Sequence, residues 1–223
     1  MIRLENASYA NRDETRRTVV LDRASGVFPA GRRVALLGAN GAGKTTLLKL
    51  LSRSAPPDSG RVIVRGSVSW PVGFTGGFAS DMTGADNVRF LARLHGRDPE
   101  SLVGFVERFA DIGAAFWAPW RTYSSGQRSR VSMGASLGIP FDTYLIDEAT
   151  SVGDAAFRAK ADAYLKDRLA NAGAVIVSHS NETIRNLCDY GAVLHRGALL
   201  FYESVEDAVR VHEENLRAPT RAA

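Results

Sequence analysis

The stretch RRVALLGANGAGKTTLLKL admits very few folds. An apolar run reads as a strand, G-x-x-x-x-G-K-T turns the chain, and a helix starts at Lys44 with Leu47, Leu48, Leu50 and Leu51 on one side. Gly38, Gly41 and Gly43 let the backbone turn so tightly that successive N–H groups converge on a phosphate. Lys44 can reach the β and γ phosphates, and the Thr45 hydroxyl can ligate Mg²⁺. A glycine-rich connection that binds nothing is the plainer alternative. The flanking strand and helix argue for a nucleotide site.

Such a site needs a carboxylate for its metal, supplied from the end of a neighbouring buried strand. FDTYLIDE provides one, because Tyr144, Leu145 and Ile146 are continuously apolar, as a central parallel strand should be. Asp147 emerges at the C-terminal edge, where ligands bind in open α/β sheets. Glu148 points the other way on an extended chain and is free to polarise a water. The simpler role for this pair is to cap the next segment.

A second anion site lies downstream in TYSSGQRSR, which holds the chain's single glutamine, Gln127. Serines and a glycine at a helix start present free N–H groups and the positive end of a helix dipole. This site has no lysine of its own, which raises the question of whose anion it binds.

Around these motifs the text alternates. IRLENASY, RTVVLDRA, RRVALLG and RVIVRGSVSW read as strands, with APPDSG a turn. From Thr83 to about Trp117 the pattern is helical. FDTYLID and AVIVSHS are then strands, DAAFRAKADAYLKDRL and NETIRNLC helices, and YGAVLHRGALLFY two short strands; NLRAPTRAA reads as a frayed tail. Strands alternating with helices imply a largely parallel sheet, with the helical middle as an insertion. The 223 residues can bury one sizeable core, the longest apolar runs are too short to span a bilayer, and the N-terminus lacks the apolar core of a signal peptide. One cysteine, Cys188, fits a reducing compartment. The charge of +4, from 28 basic and 24 acidic residues, includes no run of five like charges, so nucleic acid is not an expected partner.

The order of P-loop, helical insertion, SSGQ, strand-DE and VSHS resembles the ATP-binding cassette (ABC) ATPases, over nearly the whole chain from Leu4 to about Tyr202. The resemblance implies an α/β fold, the P-loop NTPase of ABC type, with an antiparallel β subdomain and a helical insertion. It implies one domain over 1–217, with a core lobe at about 1–82 and 140–217, a helical part at about 83–139, and a tail at 218–223. The implied ligands are ATP and Mg²⁺, held by Gly38, Asn40, Gly41, Ala42, Gly43, Lys44, Thr45 and Thr46, with Thr45 and Asp147 on the metal. In this family two copies pair head to tail, so Ser124, Ser125, Gly126 and Gln127 would complete the partner's ATP site in trans. Asp154 matches the aspartate that crosses between subunits, and it would also serve as an N-cap. Glu148 would be the water-polarising carboxylate, His179 the γ-phosphate sensor, and Tyr9 the aromatic stacked on adenine. The family's usual glutamine between P-loop and insertion is absent; either a water or another polar residue such as Thr75 or Ser80 substitutes, or turnover is slow.

WPVGFTGGF, TYSSGQRSR and YLIDEATSVGDAAFRAK look like the subunits that export capsular polysaccharide; relatives exporting O-antigen or teichoic acid share the VGD pattern. The chain stops at Ala223 without room for the carbohydrate-binding domain that some of those relatives carry, which favours the capsule branch. The resemblance implies a second copy of the chain, an integral membrane permease, periplasmic export partners, and a place on the cytoplasmic face of the bacterial inner membrane. Polysaccharide would be handled only indirectly. The expected docking surface is Trp70 to Phe90, with one or both of Phe74 and Phe78 exposed as anchors and Trp70 more at home in the core.

Overall fold

The computed structural model describes residues 1–12, 17–147, 154–178 and 180–217. In chain order its first strands are β1 (Ile2–Arg12), β2 (Arg17–Phe28) and β3 (Arg33–Leu37), followed by α1 (Lys44–Leu51), β4 (Ser59–Val64) and β5 (Val68–Pro71). Next come α2 (Gly84–Leu94), α3 (Pro99–Ala110) and α4 (Ser125–Gly138), then β6 (Thr143–Asp147), α5 (Ala155–Leu169) and β7 (Gly173–Val177). The last are α6 (Asn181–Leu187), β8 (Tyr190–His195), β9 (Ala198–Tyr202) and α7 (Val205–Arg217). The chain divides into two units: Met1–Pro71 with Asp142–Glu148 and Asn171–Ala223, and Val72–Phe141 with Ala149–Ala170.

The first unit holds two sheets. An antiparallel sheet runs β2-β1-β4, and a six-stranded sheet runs β5-β6-β7-β3-β8-β9, parallel except for β9. Parallel strands covered on both faces should be continuously apolar. β7 is buried at all five positions and β3 at its last four. The leucines of α1 are fully buried against this sheet; each is worth about 1.5–3 kcal/mol of burial, which anchors the helix that follows the P-loop.

RVIVRGSVSW, expected as one strand, is two strands in different sheets. The break is at Gly66, whose φ is +88° and whose Cβ, if it had one, would lie 2.7 Å from Asp142 Oδ2. Only glycine suits both conditions. β5 closes on Pro71, and the register there is irregular, so the Leu145 N–H donates to the Ser69 hydroxyl at 2.9 Å instead of to a ladder carbonyl. The sequence reading gives no element to residues 203–214 and a frayed tail from Asn215, so α7 is an addition; residues 218–223 lie outside the described ones. Val205, Ala208 and Val209 are its buried stripe, at i, i+3 and i+4.

The second unit is helical. The stretch from Thr83 to Trp117 resolves into α2, α3 and a 3₁₀ turn over Gly113–Trp117. Gly96 at φ +62° ends the first helix, and Asp98 caps the second, with Pro99 at its first position. α4 packs closely on α3 because two of its residues lack side chains. A Cβ at Gly134 would meet Phe109 Cδ1 at 2.9 Å, and one at Gly138 would meet Leu102 Cδ1 at 2.5 Å. α5 belongs to this unit, beyond the 83–139 expected from sequence. Lys160 Nζ donates to the Arg108 and Phe109 carbonyls at 2.8 and 3.1 Å, and Arg168 Nε to the Leu137 carbonyl at 2.7 Å. These cations sit at the negative ends of α3 and α4, where the helix dipole favours them.

Candidate functional site

At the end of β3 the chain enters the P-loop, and each glycine there meets a different constraint. A side chain at Gly38 would strike the Leu194 carbonyl at 2.7 Å, and one at Gly43 would strike Val20 Cγ1 at 2.5 Å. Gly41 and Gly43 have φ of +78° and +100°. Gly43 is also the N-cap of α1 and brings no side chain to cap it, and the first turn holds no acidic residue. The opening N–H groups of α1 are therefore left for an anion. Lys44 Nζ donates to the carbonyls of Gly38 and Ala39, at 2.6 and 3.1 Å, which holds the ammonium over the loop. Burial lowers the Lys44 pKa, and the Asp147 carboxylate opposes that shift.

Thr45 Oγ1 donates to Asp147 Oδ2 at 2.7 Å, and Asp147 is only 7% exposed. The hydroxyl and the carboxylate, brought together from α1 and β6, make the hard-oxygen pair that Mg²⁺ takes before filling its shell with water and phosphate. Among the described residues no cluster of three His, Cys, Asp or Glu could hold a metal alone. The donors present therefore fit a magnesium nucleotide better than a resident metal.

β1 does not place Tyr9 where the sequence reading put it. Tyr9 pairs with Leu21, and both line a groove of about 600 Å³ with Val19, Arg17, Asp58 and Ser59, none of them P-loop residues. Asn11 pairs with Thr18, on the side of β2 that carries Val20 against Gly43. Asn11 Nδ2 donates to Thr46 Oγ1 at 3.4 Å. Asn11 is thus the β1 residue with a hydrogen bond to the first turn of the P-loop helix among the described residues. Sequence gave no sign of this, because the β1–β2 register shifts three times between Leu4 and Ala10 and alternation cannot be carried through the bulges.

In the helical unit, Ser124 caps α4 in a reciprocal box. Its hydroxyl accepts from the Gln127 N–H at 3.2 Å, and Gln127 Oε1 accepts from the Ser124 N–H at 2.9 Å. The Gln127 carbonyl oxygen is therefore occupied structurally. Gly126 faces open space, its nearest neighbour being Ser124 Oγ at 4.0 Å from a built Cβ. Asp154 caps α5, accepting from the Phe157 N–H at 2.8 Å. Glu148 and His179 lie outside the described residues. Phe74 is 45% exposed, whereas Phe78 stacks on Trp120, centroids 4.4 Å apart and rings 11° from parallel. Phe78 is thus part of the helical unit's own packing, and Phe74 is the exposed one of the two. Thr75 and Ser80 are both exposed.

Comparisons with known proteins agree with this geometry. The sequence model of the ABC transporter family matches residues 21–72. The polysialic acid transport ATP-binding protein KpsT of Escherichia coli is 41% identical over 219 residues, 97% of this chain and 100% of that protein. The capsule polysaccharide export ATP-binding protein CtrD of Neisseria meningitidis serogroup B is 36% identical over 93% of this chain and 96% of its own length. A dimeric ATP-binding cassette solved in a post-hydrolysis state with ADP and Pi superposes with a TM-score of 0.73 at 18% identity, covering 92% of this chain and 99% of that one. A P-loop joined to a carboxylate-ended strand, in a chain this close to such proteins over its full span, makes it a member of the ABC transporter family.

Proposed function

We propose that the chain is the ATP-hydrolysing subunit of an exporter of capsular polysaccharide. Two copies pair head to tail under a membrane permease, on the cytoplasmic face of the inner membrane. No described helix is long and apolar enough to cross a membrane, and in this reading a partner permease supplies the membrane path. The observation that carries the ATPase reading is the 2.7 Å bond from Thr45 to Asp147, which ties the phosphate loop to a metal-side carboxylate. The likeness to capsule and polysialic acid export proteins supports the cargo.

In this reading the N–H groups around Gly41 to Thr45 cradle the triphosphate, and Lys44 offsets charge on its outer phosphates. Thr45 and Asp147 would hold Mg²⁺, which would supply positive charge to offset that developing on the phosphate oxygens. Glu148 polarises the attacking water and His179 holds the outer phosphate. From the second copy, the start of α4 (Ser124, Ser125 and Gly126) closes over the same phosphate, and Phe74 supplies an apolar anchor toward the permease.

Glu148→Gln tests the chemistry. It keeps shape and hydrogen bonding while removing charge, and turnover is expected to fall by roughly 10²- to 10⁴-fold with ATP binding retained. Near-normal hydrolysis would remove Glu148 from its role. Detergent extraction followed by co-purification tests the setting: a permease should come with the wild type and less of it with Phe74→Ser. A chain that purifies with no membrane protein speaks for a cytosolic ATPase.

A further inference from the structure

Arg130 is held at three points. It lies on α4, less than two turns beyond the anion-facing start of that helix. Its Nη2 donates to Asp154 Oδ2 at 2.6 Å, and its Nη1 to the Ala110 carbonyl at 3.3 Å. Its guanidinium carbon sits 4.6 Å from the centre of the Phe157 ring. The side chain is 22% exposed, against 63% for its partner Asp154. Asp154 divides its two oxygens. Oδ1 caps α5 through the Phe157 N–H, and Oδ2 takes Arg130. The carboxylate is therefore fixed to α5 by one oxygen and to α4 by the other.

We propose that Arg130 is a positioning residue that locks Asp154 to the start of α4, so that both partner-facing segments meet the second subunit as one surface. This rests on the head-to-tail pairing proposed above. An exposed ion pair contributes little to stability by itself, so stabilisation alone does not account for the arrangement. A planar guanidinium engaged on an edge, a face and a carbonyl has a fixed direction, which a lysine ammonium could not reproduce. The Ala110 carbonyl ends α3, so the bond to it also orients Arg130 at the negative pole of that helix. Asp154 is then held in place before any partner arrives, and less ordering remains to be done on pairing.

Wild type, Arg130→Gln, Arg130→Lys, Asp154→Asn and the Arg130→Gln/Asp154→Asn double variant are compared as full-length subunits. Three quantities are read: ATP affinity of the separate subunit, pairing induced by ATPγS in sedimentation velocity, and kcat. Subunit affinity for ATP should stay within about twofold for the Arg130 variants. The protein concentration needed for half-pairing should rise about tenfold in Arg130→Gln and in Asp154→Asn, and the double variant should be no worse than either, as expected of one shared interaction. Arg130→Lys should fall between. Should Arg130→Gln fail to fold, Asp154→Asn still reads the lock, because the amide oxygen keeps the α5 cap while an NH2 replaces the charged acceptor that Arg130 uses. Variants that pair like the wild type, or single effects that add in the double, would mean that Arg130 only packs α3, and the proposal falls. A wild type that never pairs with nucleotide overturns the head-to-tail reading, and the lock with it.

Discussion

Thr45 and Thr46 are neighbours with opposite hydrogen-bond polarity. Thr45 Oγ1 gives its proton to Asp147, so its lone pairs remain for a cation; Thr46 Oγ1 accepts from Asn11, so its proton remains for a phosphate oxygen. Asp147→Asn keeps a partner for Thr45 but removes the charge. The tightening of ATP binding by Mg²⁺ should then drop at least about tenfold, with magnesium-free binding little changed; calorimetry with and without the metal reads both. The variant also removes the carboxylate that opposes the burial shift of Lys44, so the lysine pKa should fall further. A full magnesium effect in Asp147→Asn would place the metal on another carboxylate. The P-loop residues and Asp147 were readable in the sequence because fixed spacing next to a strand leaves one arrangement. Asn11 was not, because bulges decide which face of β1 each residue takes.

α4 is the element whose start matters most. Its capping box holds the first turn from within, so Ser125 and Gly126 are left to present N–H groups outward. Gly126→Asp has room in the fold, since no neighbour lies within 3.4 Å of its Cβ. In the proposed pairing a carboxylate there would oppose the partner's phosphate, so ATP-induced pairing and turnover should fall by at least about tenfold while separate subunits bind ATP normally. Mixing this variant with Lys44→Ala subunits should restore at most one working site per pair. Loss of ATP binding by the separate Gly126→Asp subunit would make the site act within one chain. The SSGQ run already signalled this helix start. The stacking of Phe78 was hidden, because its partner Trp120 is remote in sequence and no local pattern joins them. α7 carries a stripe at Val205, Ala208 and Val209, but three small apolar residues among charged ones make a weak signal, and the stretch drew no assignment before the tail at Asn215.

At the scale of the whole molecule, acid should loosen the fold in two stages. His95 and His212, one in each unit, have pKa values lowered from 6.5, each first by burial, then by Arg97 for His95 and by Lys44 for His212; Glu213 opposes the shift at His212 and His195 adds to it. A histidine with a depressed folded pKa binds its proton more readily when unfolded. Stability should therefore be complete above pH 6.5 and decline as pH falls below it. The carboxylates held low by hydrogen bonds, Asp86, Asp98, Asp142 and Asp154 from 3.8 and Glu100 from 4.5, act only further down. A melting-temperature profile should show both stages, and His95→Gln with His212→Gln should remove the upper one. A profile flat from pH 7 to about 5 would show that the imidazoles are as free to charge in the fold as outside it. The strand order has a consequence for a chain still being made. β3, which carries the P-loop, pairs Arg33 with Ala174 of β7 and Val34 with Tyr190 of β8. At roughly 5–20 residues per second, the strand leaves the ribosome some 7–28 s before either neighbour exists, with both edges open. Nucleotide finds no finished site on such a partial chain, because Leu194, against which Gly38 closes, has yet to be made, and for most of that time so has Asp147, which receives Thr45. Until then the growing chain depends on whatever shields a bare strand from its neighbours.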